Sequence, residues 1–150
     1  MQHLEWRPDL SVGVEFIDQQ HQELFKRFND LVDAGTRGES QREVAKVIAF
    51  LESYALTHFW DEELLMEATH YPGLLTHKAE HTAFMCDVQA LRQRLEIKGS
   101  TPVLAAQVQA RVANWLIAHI GGSDKKLGHF IAACIAARGQ ELLVDAPEAG

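Results

Sequence analysis

Four amphipathic stretches of this chain each place histidine in the stripe of positions that should face the interior. Leu24, Phe25, Phe28, Leu31 and Val32 recur at helical spacing, and His21 falls in phase with them. Val44, Val47, Ile48, Leu51, Ala55, Leu65 and Met66 form a second stripe, and His58 and Glu62 fill its gap in phase. Phe84, Val88, Leu91 and Leu95 form a third, extended backwards by His81 and His77. Val108, Val112, Trp115 and Leu116 form a fourth, which ends at His119. Any one of these histidines alone reads as an ordinary core residue. Together, five imidazoles and a carboxylate directed into one core are strongly destabilising unless something compensates them. A metal centre does so most directly.

The chain has 150 residues, of which 47% are apolar. That is one domain's length with enough apolar surface for a core. The reading is a single domain over 1–150, with its core from about residue 6 to 137 and a loose tail over 138–150. Gly35, Gly38, Pro72-Gly73 and Gly99 to Pro102 separate a first helix expected from Asp18, its N-cap, from others expected at about 40–69, 74–98 and 102–120. An irregular N-terminal arm precedes them, and a short helix over about 124–137 follows. The expected fold is all-α, an up-down-up-down antiparallel four-helix bundle. In that topology the start of the first helix, the end of the second, the start of the third and the end of the fourth lie together. These are the places of His21, of His58 and Glu62, of His77 and His81, and of His119.

Asp124 follows His119 by five residues, which on a straight α-helix puts it roughly 140° away. Gly121-Gly122 lies between them, and the expectation is a helix that breaks there and turns Asp124 back towards the centre. Asp124 also reads as an N-cap for the last helix.

At these residues the sequence resembles the hemerythrins. The resemblance is carried by Asp18-Gln-Gln-His21, His58-Phe-Trp-Asp-Glu62-Glu-Leu-Leu-Met66, Tyr71-Pro72, His77-x-x-x-His81 and His119-x-x-x-x-Asp124. The lead-in Leu10-Ser-Val-Gly-Val14 and Ile17-Asp18 is similar to the bacterial, single-domain branch. It implies seven metal ligands: His21, His58, Glu62, His77, His81, His119 and Asp124. It implies two iron ions joined by a bridging oxo or hydroxo group. His77, His81 and His119 would hold one iron, His21 and His58 the other, and Glu62 and Asp124 would bridge. Dioxygen would bind reversibly at the open position of the second iron, in a pocket formed by Leu24, Phe59, Trp115, Leu116 and Ile120. The donor set itself, imidazole with carboxylate and no thiolate, suits iron, manganese or zinc.

The implied function is an oxygen carrier, store or delivery protein rather than an enzyme, with an oxygen-consuming enzyme as a possible recipient. An oxygen or redox sensor module, and a di-iron peroxidase or nitric oxide scavenger, stand as alternatives. A ferritin-like di-iron site needs Glu-x-x-His on two helices, and this chain has only Glu67 to His70, with His70 read as ending its helix. Lys plus Arg number 14 against 21 Asp plus Glu, a net charge of −7, which argues against nucleic acid as a partner. The longest apolar run, 130–137, is too short for membrane insertion. A cytoplasmic monomer is expected, with no exposed apolar stripe, Glu63 solvent-exposed, His3 and His129 on the surface, and Cys86 and Cys134 in or near the core.

Overall fold

The structure, a computed structural model, describes the backbone of residues 2–145 and the side-chain surroundings of residues 2–139. Helix α1 spans Glu15–Thr36, α2 Ser40–Ala68, α3 Leu74–Lys98 and α4 Pro102–Asn114. A π-helical segment, Trp115–Asp124, continues α4 without interruption into α5, Lys125–Asp145. Successive helices pack side by side, α4 returns against α1, and the α2 and α4 diagonal is also in contact. This is the four-helix bundle that short connections between amphipathic helices favour. None of the described helices is long and apolar enough to cross a membrane.

The core follows the four stripes. Leu24, Phe28, Leu31, Val44, Ile48, Leu51, Phe84, Val88, Val108 and Val112 are all buried in one cluster. Pro102 opens α4 at a position whose N–H has no intrahelical partner, and the Thr101 hydroxyl accepts the Leu104 N–H. His70 ends α2 by taking φ 53°, in the left-handed region.

Several expectations are corrected. Helix α1 begins at Glu15, and Asp18 lies inside its first turn. There Asp18 accepts hydrogen bonds from the Val12 N–H (2.9 Å) and the Ser11 hydroxyl, so it anchors the N-terminal arm instead of capping the helix. The chain does not break at Gly121-Gly122, and neither glycine takes a positive φ. The last helix continues through residues 138–145; residues 146–150 lie outside the described ones. Cys86 is exposed and Cys134 half-buried. Leu56, Trp60 and Leu64, spaced four apart on α2, form an exposed apolar stripe at 68%, 67% and 47% exposure, where none was expected.

The irregular arm is held firmly for a segment with one 3₁₀ turn, Pro8–Leu10. Asn29 exchanges two hydrogen bonds with the Leu4 backbone, Lys125 pairs with Asp9 at 3.2 Å, and Val12 is fully buried. The arm crosses α5 at Gly128, where a Cβ would stand 2.8 Å from the Val12 Cα and 2.9 Å from the Ser11 carbonyl oxygen. Both neighbours are backbone and cannot swing aside. Gly128→Ala therefore overpacks this crossing, and the expected loss is about 1–3 kcal/mol despite alanine's better helix propensity. Urea denaturation of the variant checks this, and limited proteolysis should cut its arm first.

Candidate metal centre

His21, His58, Glu62, His77, His81, His119 and Asp124 are all buried, between 0% and 3% exposed. They gather at one end of the bundle, as the order of the helices requires. The cluster divides into two sets that share both carboxylates. Glu62, His77, His81, His119 and Asp124 bring one donor atom each to within 4.8 Å of one another, and so do His21, His58, Glu62 and Asp124.

The two oxygens of each carboxylate face different sets. Glu62 Oε1 lies 2.6 Å from His77 Nε2 and 3.1 Å from His81 Nε2, while Glu62 Oε2 lies 3.2 Å from His58 Nε2 and 3.5 Å from His21 Nε2. Asp124 Oδ1 lies 2.9 Å from His77 Nε2 and 3.2 Å from His119 Nε2, while its Oδ2 lies 3.1 Å from His21 Nε2. All five imidazoles present Nε2 to the interior.

Asp124 reaches the centre by a different route from the one its sequence suggests. In a π-helix the bonds run from i to i+5, so residues five apart lie one turn above each other. The ten-residue segment Trp115–Asp124 thus carries Asp124 onto the face of His119 with no break. Such segments are rare and concentrate at functional sites.

The outward nitrogens are also held. His58 Nδ1 donates to Gln20 Oε1 (2.6 Å), His81 Nδ1 to Glu63 Oε2 (3.0 Å) and His119 Nδ1 to Glu80 Oε2 (2.6 Å). These bonds turn each Nε2 lone pair inward, the usual support for a metal-binding imidazole. Glu63 is thus a partner of His81 and not a solvent-exposed bystander. Glu80 and Gln20 were missed by the stripes because their partners lie on other helices. His3 pairs with Asp33 near the surface, and His129 is exposed.

The expected pocket residues Leu24, Phe59, Trp115, Leu116 and Ile120 are all buried. Phe59 stacks on His81 with centroids 4.0 Å apart, and Trp115 on His119 at 3.7 Å. One residue beside the centre was overlooked. Tyr54, one turn before His58 and in phase with the α2 stripe, is buried and stacks on His58 at 4.7 Å.

Whether the cluster suits a metal is answered by its own polar atoms. Glu62 Oε2, both Asp124 oxygens and His119 Nε2 are buried without a hydrogen-bond partner. They stand close to one another but are not aligned to bond, as donors arranged around a shared cation are. Buried polar groups without partners are otherwise costly. The donors are nitrogen and oxygen only, so the cluster fits iron, manganese or zinc.

The electrostatics agree. Burial alone would lower the pKa of His21, but the Asp124 and Glu62 carboxylates outweigh it and raise it to about 10. The same contest raises His77 to about 10 and His119 to about 9. For His58 burial wins and its pKa falls, with the His21 charge adding to the effect. Burial raises the carboxylates, but the surrounding imidazoles outweigh it and hold Glu62 well below the usual range; Asp124 is lowered against burial and the Glu62 charge by His119 and His21. Protons thus take the place of cations in the metal-free cluster.

The comparisons with known proteins follow the same outline. Residues 12–131 match the family model described as the hemerythrin HHE cation binding domain. The chain is 34% identical over 124 residues to the bacteriohemerythrin of Pseudomonas aeruginosa, covering 83% of this chain and 78% of that one. It is 33% identical to that of Stenotrophomonas maltophilia, over 81% of this chain and 77% of the relative. It is 29% identical to the myohemerythrin of Theromyzon tessulatum, over 81% and 88%. A helical bundle with a buried, shared-carboxylate cation cluster is the class that fold and site define, and the chain belongs to the hemerythrin family.

A pH dependence follows from the raised histidines. In the metal-free protein His21, His77 and His119 bind protons more tightly folded than unfolded. The stability this contributes is complete below about pH 6.5 and is lost as pH rises through about 9–10. Metal binding requires those imidazoles neutral, so it strengthens across the same window. The Tm of the metal-free protein should therefore fall from pH 7 to pH 9. The Tm gain on adding ferrous iron without air should grow over that range. Differential scanning calorimetry of both forms tests the pair of trends.

Proposed function

We propose that this chain binds dioxygen reversibly at a pair of iron ions, as a carrier, store or delivery protein and not as an enzyme. The observation that carries the reading is the division of the carboxylate oxygens, one of each facing either histidine set. His77, His81 and His119 would hold one iron, and His21 and His58 the other, with Glu62 and Asp124 available to both. The first set offers five donor atoms and the second four. The second set thus has one protein donor fewer than the first. The second therefore keeps a position for a small ligand.

A pair of ferrous ions, when bound, would supply the redox chemistry for reversible dioxygen binding. The rest is the work of this chain. Glu63, Glu80 and Gln20 keep the imidazoles in the tautomer that turns Nε2 inward. Leu24, Phe59, Trp115, Leu116 and Ile120 keep water and stray protons from the open side, which is what makes release outrun irreversible oxidation. The imidazoles around Glu62 and Asp124 outweigh burial and keep both carboxylates charged at neutral pH.

The printed names of the relatives, bacteriohemerythrin and myohemerythrin, support the same reading. The first test is the visible spectrum of the reduced protein under argon, after air, and again under argon. A charge-transfer band that appears with air and fades under argon is the expected outcome. A band that forms once and persists would favour a redox sensor or a peroxide-handling enzyme. A second expectation concerns the pocket. Leu116→Asp brings a carboxylate and its water to the open side, and should speed irreversible oxidation by about tenfold or more. An unchanged autoxidation rate in stopped-flow absorbance would count against Leu116 as part of the pocket.

A further inference from the structure

Tyr54 is a buried phenol that the ligand set does not use. Its side chain lies one helical turn inward of His58, in the layer directly beneath the cluster. The ring stacks on His58 at 4.7 Å with planes 18° apart, and meets Phe59 edge-on at 6.3 Å. The residue is 6% exposed, and its hydroxyl is enclosed without a hydrogen-bond partner. Phenylalanine would fill the same space without burying an unpaired donor. Among the described residues, two tryptophan N–H groups, of Trp6 and Trp115, are also buried without partners. Trp115, one of the expected pocket residues, stacks on His119. Tyr54 stacks on the two-imidazole set, where the donor count leaves a position free.

We propose that Tyr54 donates its O–H to small ligands that carry negative charge when bound at the His21 and His58 side. It selects them over neutral ligands of the same size. The inference rests on the di-iron reading above. Inside an apolar pocket a single neutral donor favours charge on the ligand's outer atom, because no water competes for it. A surface cleft of about 270 Å³, lined among others by Gln20, Glu23, Phe50, Tyr54 and His58, touches the outer edge of the same pair of rings.

The test uses azide as the probe and the iron-loaded, air-oxidised full chain. Azide affinity is read from the charge-transfer absorbance of the wild type and of Tyr54→Phe, with iron content measured in both. The expected result is about tenfold weaker azide binding in Tyr54→Phe at unchanged iron content. The second measurement needs no change at Tyr54. The chain has two tyrosines, so Tyr71→Phe leaves Tyr54 as the sole source of phenol ring modes in ultraviolet resonance Raman. Azide should shift those modes to the pattern of a donating hydroxyl. Equal affinities and unmoved ring modes would overturn the role of Tyr54 while leaving the di-iron reading intact. Failure of the wild type to bind two irons or to show an azide band would overturn both. If Tyr54→Phe does not fold, the Raman result in Tyr71→Phe decides alone.

Discussion

Two carboxylates with no access to water stand at the centre of this bundle, and the arrangement of the chain answers to them. Glu62 and Asp124 are both completely buried. An ionised carboxylate costs several kcal/mol to bury even after relaxation. Here the two together are surrounded by imidazole nitrogens at 2.6–3.5 Å, drawn from α1, α2, α3 and the π-helical segment. No pair of helices holds enough of these partners. The charge therefore couples the helices to one another at one end, while the apolar layers from Leu24 to Val108 couple them along the rest. Removing one imidazole would leave part of a buried charge uncompensated, which costs more than the lost pair itself is worth.

The π-helical segment is part of the same solution. Asp124 must share a face with His119, and α-helical geometry forbids this at a spacing of five. A break could have achieved it, but would have freed backbone N–H and C=O groups beside a buried cluster. The wider helix keeps them bonded along the chain while moving the carboxylate into place. It also lets α5 continue on course, and there Gly128 receives the N-terminal arm and closes that end of the bundle.

The bundle and the clustering of these side chains were legible in the sequence because both follow from one period. His21, His58, Glu62, His77, His81 and His119 sit where a hydrophobe of the same stripe would sit. The topology then brings those places to one end. What was not legible depends on facts that no single period carries. Glu80 meets His119 from another helix, 39 residues away, and Gln20 meets His58 across 38. Nothing in the spacing of either residue announces its partner. Glu63 was set aside because it lies about 100° from Glu62, yet that is the angle from which α2 reaches His81 on α3. Tyr54 is the exception: its phase on α2 was readable, and only its aromatic character disguised a polar atom in the core. The exposed row of Leu56, Trp60 and Leu64 escaped notice because the buried stripe of the same helix runs beside it.

The outer partners also make the two ends of the cluster chemically unequal. His81 and His119 donate to carboxylates, and His58 donates to a neutral amide. His21 Nδ1 is buried with no partner. A carboxylate behind an imidazole raises its basicity, and with it the electron density it gives to a cation; an amide does so less. The set with more donors is thus also the set with stronger donors. A cation among His77, His81 and His119 would meet five protein donors, and one at His21 and His58 four, with weaker support behind them. Asymmetry in donor number and asymmetry in donor strength therefore point the same way. On the proposed di-iron reading, both would favour a further ligand on the side where Tyr54 stacks on His58.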